Sequence, residues 1–577
     1  MDHDARFDEL LEAATRGHLN RREVLKRALG LGLSVTAISV LLAACGGDDD
    51  DDEDEDTDAD APTEPETEDA EPTETTAESP AGDSTEVEET ETGATEPEGS
   101  TDGERSGELI VVLSERSLTL DPANHYSISS TSVLRHIFDP LIDVTDQSEF
   151  VPALAESWET VDDLTWSFTL RQGVTFHDGS PFNADSVVAT IERVRDNQEL
   201  IKSFVYQSID TVEKNGDHEV TITTTEPFAP LEGHLSMLGI LPPSVLDDEE
   251  AFFDNPIGTG PFKFVSTVRG EEVVLEAHTD YWNPELPKVE QLTFRFIPEL
   301  STRVAGLQSG EFHVIDRITP DMVETIADTD GVQVLDVPAI EAQQWVFQME
   351  REPVTDVRLR KAISLAIDRE VLIDEFMLGY AVPCVCPTPP TLIGHVDLGT
   401  KPYDPEGARA LLEEAGLEDV TIDLVLMRGL YPKQLEIAQA VQAMLLEVGI
   451  NLELRDEEIA TARDVRSAGE YDWFYSGWTH LPHDPDWYFG QWFTEEGAAG
   501  LSRYSDPQVE QLIVDARVPD PAVRQQKYEE LQRILWEEQE PTIWPFYSVA
   551  IYGVNNSVQN YEPRSDYYVL LNDVSLS

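Results

Sequence analysis

Tyr403-Asp404-Pro405-Glu406-Gly407-Ala408-Arg409-Ala410-Leu411-Leu412-Glu413-Glu414-Ala415-Gly416, followed four residues later by Thr421-Ile422-Asp423-Leu424-Val425-Leu426-Met427, places a helix and a strand in succession. The first run reads as a helix over 405–415 that ends at Gly416, and the second as a strand. Leu109-Ile110-Val111-Val112-Leu113 reads as a buried strand, with a further strand over 289–297. Helices are predicted over 185–196, 301–309 and 358–366. Strands that alternate with helices in this way predict an α/β fold.

At 577 residues and 40% hydrophobic composition, the chain can bury a large core but exceeds what one core usually serves, so two or more lobes are expected. The formal charge of -77, from 115 acids against 38 bases, argues against nucleic acid or an anionic membrane face as a partner, since a polyanion is repelled by both. Residues 46–106 hold 27 acids and one base, Arg105, which leaves about fifty excess negative charges for the remainder, so the folded part is itself acidic. Its bases are mostly Arg. A salt-adapted host is one hypothesis for that surface, and ordinary solubility the other. Three cysteines, Cys45, Cys384 and Cys386, cannot build a disulfide framework. A bridge between Cys384 and Cys386 would be strained, so they read as thiols or a strained local pair.

Asn20-Arg21-Arg22-Glu23-Val24-Leu25-Lys26 matches the twin-arginine export pattern, and an apolar stretch over 28–44 follows it. Leu42-Ala43-Ala44-Cys45 resembles a lipobox, which implies a signal peptide over 1–44 and a lipid on Cys45. An uncleaved single-span anchor is the other reading. From 46 to 106 there is almost no large apolar residue, a composition that predicts a disordered acidic linker with an average reach of roughly 40 to 45 Å.

Several segments carry a family resemblance in order. They are Leu118-Thr119-Leu120-Asp121-Pro122, Leu154-Ala155-Glu156-Ser157-Trp158, the run from Trp166 through Phe176-His177-Asp178-Gly179-Ser180-Pro181-Phe182, and Ile257-Gly258-Thr259-Gly260-Pro261-Phe262. Val357-Arg358-Leu359-Arg360-Lys361-Ala362-Ile363, Ala366-Ile367-Asp368-Arg369, Tyr403-Asp404-Pro405, Val448-Gly449-Ile450 and the aromatic run from Tyr471 to Trp478 complete the set. Together they resemble the peptide and nickel class of ABC-importer binding proteins, the extracellular solute-binding proteins of family 5. Locally, 176–182 also reads as a tight turn between strands, with His177 a turn residue, and Gly258 and Gly260 as chain reversal and not a phosphate cradle.

The resemblance implies a two-lobed, type II-like periplasmic-binding-protein fold with an extra subdomain inserted in lobe I. Lobe I is expected over 107–343 plus 546–577 and lobe II over 344–545, with hinge crossings near 341–347 and 541–547. It implies a monomeric receptor outside the cytoplasmic membrane that binds a peptide or other small solute between the lobes. Delivery to the permease and ATPase subunits of an ABC importer follows, with no cofactor. In dipeptide receptors the loop after the Trp-Thr pair carries an Asp that holds the peptide's α-ammonium group. Counted from Trp478, that position is Leu481, so the amine clamp is expected to be missing, with Asp484 fixing the Asp-Pro turn. The candidate ligand-binding residues are Trp345, Arg428, Tyr475, Trp478, Thr479, His480 and Leu481. Arg428, in a loop after a strand, reads either as a partner for a ligand carboxylate or as a surface arginine. Trp473 is expected in the core and Trp478 in the cleft. Nickel or metal-chelate uptake is the alternative, because His480 and His483 stand near Asp484, although a Pro inside that loop makes a poor preformed site. No nucleophile elbow, zinc-protease motif or Walker loop is present to carry catalysis.

Overall fold

The computed structural model describes residues 105, 107–117, 119–417, 419–499 and 501–577. Arg21, Arg22, Cys45 and nearly all of the acidic linker lie outside the described residues. The central sheet is built from β1 (Glu108–Leu113), β2 (Phe262–Val268), β3 (Glu272–Ala277), β4 (Gln291–Phe296), β5 (Val314–Ile315), β6 (Val332–Phe347), β7 (Val420–Met427), β8 (Ile450–Glu457), β9 (Trp473–Thr479) and β10 (Phe546–Asn555). Their spatial order is β8-β7-β9-β6-β10-β5-β1-β4-β3-β2, and two short strands, Ala381–Pro383 and Thr542–Ile543, bring the sheet to twelve. The fold is mixed α/β and two-lobed.

One strand joins the two halves. β6 pairs antiparallel with β10 from Val332 to Pro338, its register then shifts, and from Glu341 to Phe347 it pairs with β9. From Ala339 onward every β6 residue is buried, because helices and loops cover both faces of the sheet there.

Each half has its own core. Leu109, Val111 and Leu113 of β1 point into a cluster with Leu292, Phe294, Ile137 and Val569, while Val112 points to the opposite face against Leu307, Phe312 and Ile551. A run of apolar residues in β1 therefore reflects burial on two faces. A four-stranded antiparallel sheet (Ala155–Thr160, Thr165–Leu170, Glu219–Thr224, Ile209–Gly216), inserted between β1 and β2, packs on its own cluster around Trp166, Phe168, Val187 and Ile191. In the other half, Trp492, Phe493, Tyr528, Leu535 and Trp544 form a further aromatic core.

The helices α1 (Ile128–Ile137), α2 (Ala184–Asp196), α3 (Leu300–Ser309), α4 (Val357–Ala366), α5 (Pro405–Ala415) and α6 (Pro485–Phe493) include all four expected from sequence, to within one residue. Local chemistry explains their ends. Gly416, with φ of 68°, closes α5 in the left-handed conformation that glycine adopts without penalty. Asp404-Pro405 and Asp484-Pro485 open α5 and α6. In each the carboxylate accepts a first-turn N–H, and Pro occupies a position that has no N–H bond to lose.

The segment 176–182 closes as a turn, with Phe176 N–H bonded to Ser180 O at 2.8 Å. His177 Nδ1 accepts from Gly258 N at 3.2 Å, and its Nε2 lies 3.0 Å from Gly260 O, so the ring ties two chain reversals together. A Cβ on Gly258 would fall 1.9 Å from Ile137 O, which is why glycine stands there. Cys384 and Cys386 are free thiols, 1% and 0% exposed. No helix among the described residues is long and apolar enough to cross a membrane.

Candidate functional site

Parallel strands end together, and the loops beyond their carboxyl ends leave a crevice that ligands commonly occupy. In one half β1 runs parallel to β4 and β5; in the other β7 runs parallel to β8 and β9. The first set delivers Ser114, Asp316 and Arg317 beyond its ends, and the second delivers Tyr431, Lys433 and the segment from Trp478 to Leu481. The two sets meet beside β6. Glu341 of β6 accepts Thr479 Oγ1–H at 3.0 Å on one carboxylate oxygen, and Ser548 Oγ–H at 2.7 Å and Gln343 Nε2–H at 2.9 Å on the other. Lys433 reaches across to Asp321 at 3.2 Å.

Alternation along β9 sorts its aromatics. Trp473 and Tyr475 share one face with Trp345. Trp473 stacks on Phe347 at 5.2 Å and Tyr475 lies 5.0 Å from Trp345, so Trp345 and Tyr475 are 0% and 1% exposed. The structure thus places these two expected lining residues in the interior, together with Trp473. Trp478 points the other way, packs on Trp487 and Trp492 of α6 at 5.7 and 5.8 Å, and stays partly accessible.

Leu481 is also partly accessible. His480 is buried, with its ring 3.1 Å from Ile340 O, and burial lowers it to about 4. Arg428 sits on an exposed edge, paired with Asp456 at 2.8 Å and Glu458 at 2.7 Å. Those carboxylates, next to its own loop, already engage the guanidinium. Asp484 caps α6 and pairs with Arg524 at 2.5 Å, so its carboxylate is held in the turn.

Two aromatics that the sequence does not single out, Tyr126 and Phe204, join Trp487 in the wall. Trp487 lies 5.7 Å from Tyr126 and 6.2 Å from Phe204, both contributed by the other half. Trp487 and Phe204 line a cavity of about 1160 Å³ that continues past Glu226, Asp486, Glu510 and Arg517. Only the fold brings 126, 204 and 487 together, and no local signal marks them as neighbours.

The halves touch directly around this groove. His483, from the loop after β9, lies 2.9 Å from Ser148 Oγ and 3.2 Å from Asp566, and Arg564 pairs with the same carboxylate at 2.5 Å. Ala229 N–H bonds Arg517 O at 2.8 Å. A Cβ on Gly233 would fall 2.0 Å from Pro482 O.

Residues 149–500 match the bacterial extracellular solute-binding proteins, family 5 Middle. The chain belongs to this family. The matched segment of this family 5 protein includes the inserted sheet, β6 to β9 and α6, and so spans both sides of the groove. The chain is 27% identical over 448 residues to the glutathione-binding protein GsiB of Escherichia coli, which covers 75% of this chain and 87% of that one. Its structure resembles the periplasmic binding protein DppA from Helicobacter pylori, solved with the peptide STSA, at 25% identity and a TM-score of 0.72, over 82% of this chain and 98% of that one. It resembles NikZ from Campylobacter jejuni, solved with Ni(L-His), at 23% identity and a TM-score of 0.70, over 81% and 96% of the two chains. The last likeness is one of fold.

Proposed function

We propose that this chain is the extracytoplasmic receptor of an ABC importer, that it binds a peptide-like solute between its lobes, and that it is not an enzyme. The observation that carries this reading is the meeting of two sets of strand carboxyl ends over an aromatic wall, with β6 and β10 as the strands shared by both lobes. The relatives that bind glutathione or a peptide favour the same solute class. Lobe I is taken as 107–343 plus 546–577 and lobe II as 344–545, limits supported by the register shift in β6. Closure around solute would let the permease and ATPase partners distinguish a loaded receptor from an empty one.

Export through the twin-arginine route at Arg21 and Arg22, a lipid on Cys45, the acidic linker over 46–106 and a monomeric state complete the reading, on the sequence motifs given above. The test is mass spectrometry of solute carried by the purified protein, followed by calorimetry with that solute. Recovery of a peptide-like compound that binds at one per chain is expected. Turnover of the compound, or no binding of any recovered solute, would overturn the proposal.

A further inference from the structure

Arg317 lies one residue beyond Asp316 at the carboxyl end of β5, in a left-handed conformation with φ of 46°, rare for a residue with a Cβ. The turn is held from beneath. Arg303 donates to Ile297 O at 2.8 Å and Pro298 O at 2.7 Å, and reaches Asp316 O and Arg317 O at 3.4 Å. The Asp316 carboxylate accepts Ser114 N–H at 2.8 Å and Ser114 Oγ–H at 3.1 Å. So fixed, the Arg317 guanidinium rests 4.9 Å from the ring centre of Tyr567, itself at φ of 65°. Tyr567 OH lies 3.4 Å from Glu341, the residue that accepts the Thr479 hydroxyl.

The guanidinium is otherwise unengaged. Asp316, Glu341 and Glu115 stand near enough to favour its charge, yet among the described residues none pairs with it and it donates no hydrogen bond. Three other arginines drawn into the interior have hydrogen-bond partners on their terminal nitrogens. Arg135 bonds Asp143 and Ser236 O, Arg193 bonds Asp121 and Glu249, and Arg360 bonds Val354 O and Gln539 O. Arg317 is partly accessible and follows the carboxyl end of β5, the end of the strands at which the two sets meet. A planar fork of N–H donors on an aromatic face suits a carboxylate, which accepts two parallel bonds.

We propose that Arg317 is the anchor for a carboxylate of the solute, a role that sequence reading held open for Arg428. The inference rests on the receptor reading and narrows it to solutes with an acidic group. The mature protein and its Arg317→Gln and Arg317→Lys variants are titrated by calorimetry with one tripeptide mixture, made once with free C-terminal acids and once as amides. Solute recovered from the wild-type protein is identified in parallel by mass spectrometry.

Acids should bind the wild type at least tenfold more tightly than amides. That preference should vanish in Arg317→Gln and survive in part in Arg317→Lys, with thermal unfolding of both near wild type. Equal binding of acids and amides by the wild type, or full discrimination kept by Arg317→Gln, overturns the anchor and leaves the receptor reading in place. If neither mixture binds, a recovered non-peptide acid whose retention is lost in Arg317→Gln supports the anchor, whereas a solute without an acidic group overturns it. No recovered solute and no binding in any arm overturns both.

Discussion

His483 Nε2 lies 3.2 Å from Asp566 Oδ2 with both side chains fully buried, although one comes from the loop after β9 and the other from the C-terminal segment that packs with β1. The contact is a latch between halves, reinforced by Ser148 on the other ring nitrogen. His483→Ala should favour the open form. Asp566 keeps Arg564, so the penalty should sit near the lower end of an unmet buried acceptor, about 1 kcal/mol or roughly fivefold in the closing equilibrium. Small-angle scattering should show a larger radius of gyration for the empty variant, and stopped-flow a faster solute release. Unchanged values for both would dismiss the latch.

Acid should weaken the fold through histidines that are built in as neutral rings. His136 Nε2 accepts Leu571 N–H at 3.0 Å while Nδ1 lies 2.6 Å from Ser132 O, and burial lowers its pKa to about 4. His177 is lowered to about 3 and His480 to about 4, again chiefly by burial. A base depressed in the folded state takes up protons later than in the unfolded chain. Stability is therefore full above the unfolded value near ~6.5 and declines as pH falls towards 4. Urea midpoints at pH 7.5, 6 and 5 should fall in that order. His136→Gln should reduce the slope, and a flat series would contradict this account.

Gly233→Ala should act as a wedge. The new methyl group would meet Pro482 O across the two halves, and nothing within the inserted subdomain comes as near. Solute affinity should drop tenfold or more while thermal unfolding of the empty protein changes little, because only the closed form holds the clash. Loss of unfolding temperature in step with affinity would place the damage in the subdomain instead.

The resemblance to dipeptide receptors puts Leu481 where an acid is expected to clamp a peptide's amine, and in the structure Asp484 is held by Arg524 and its own helix. N-acetylation of a bound peptide should therefore change wild-type affinity little. Leu481→Asp should create a preference for the free amine of about tenfold, the scale of a charge-assisted hydrogen bond at roughly 1.5 kcal/mol. Calorimetry on matched free and acetylated peptides decides the matter, and a strong amine preference in the wild type would refute it.

The parts of the fold set by neighbours along the chain were readable in the sequence. Asp404-Pro405 and Gly416 bound α5 by local capping, and β1 shows its two-sided burial as an unbroken apolar run. The faces of β9 were readable only in part, since a strand's alternation says which residues share a side and not which side meets the core. Pairing with β6 decides that Trp345 and Tyr475 look inward. Arg317 gave no signal at all. Its setting depends on Tyr567 and Glu341, 226 residues apart in the chain and brought together only by the return of β10 beside β6.

Cys384 and Cys386 are buried beneath β10, and burial lifts the Cys384 thiol well above its ordinary pKa. A thiol that stays protonated and out of reach exchanges slowly with oxidants and other disulfides. Since no disulfide ties the described residues together, folding of this lobed body has no redox step. The same end state is open to the chain in a reducing cytoplasm and in an oxidising exterior, and its architecture is independent of the side of the membrane on which it forms.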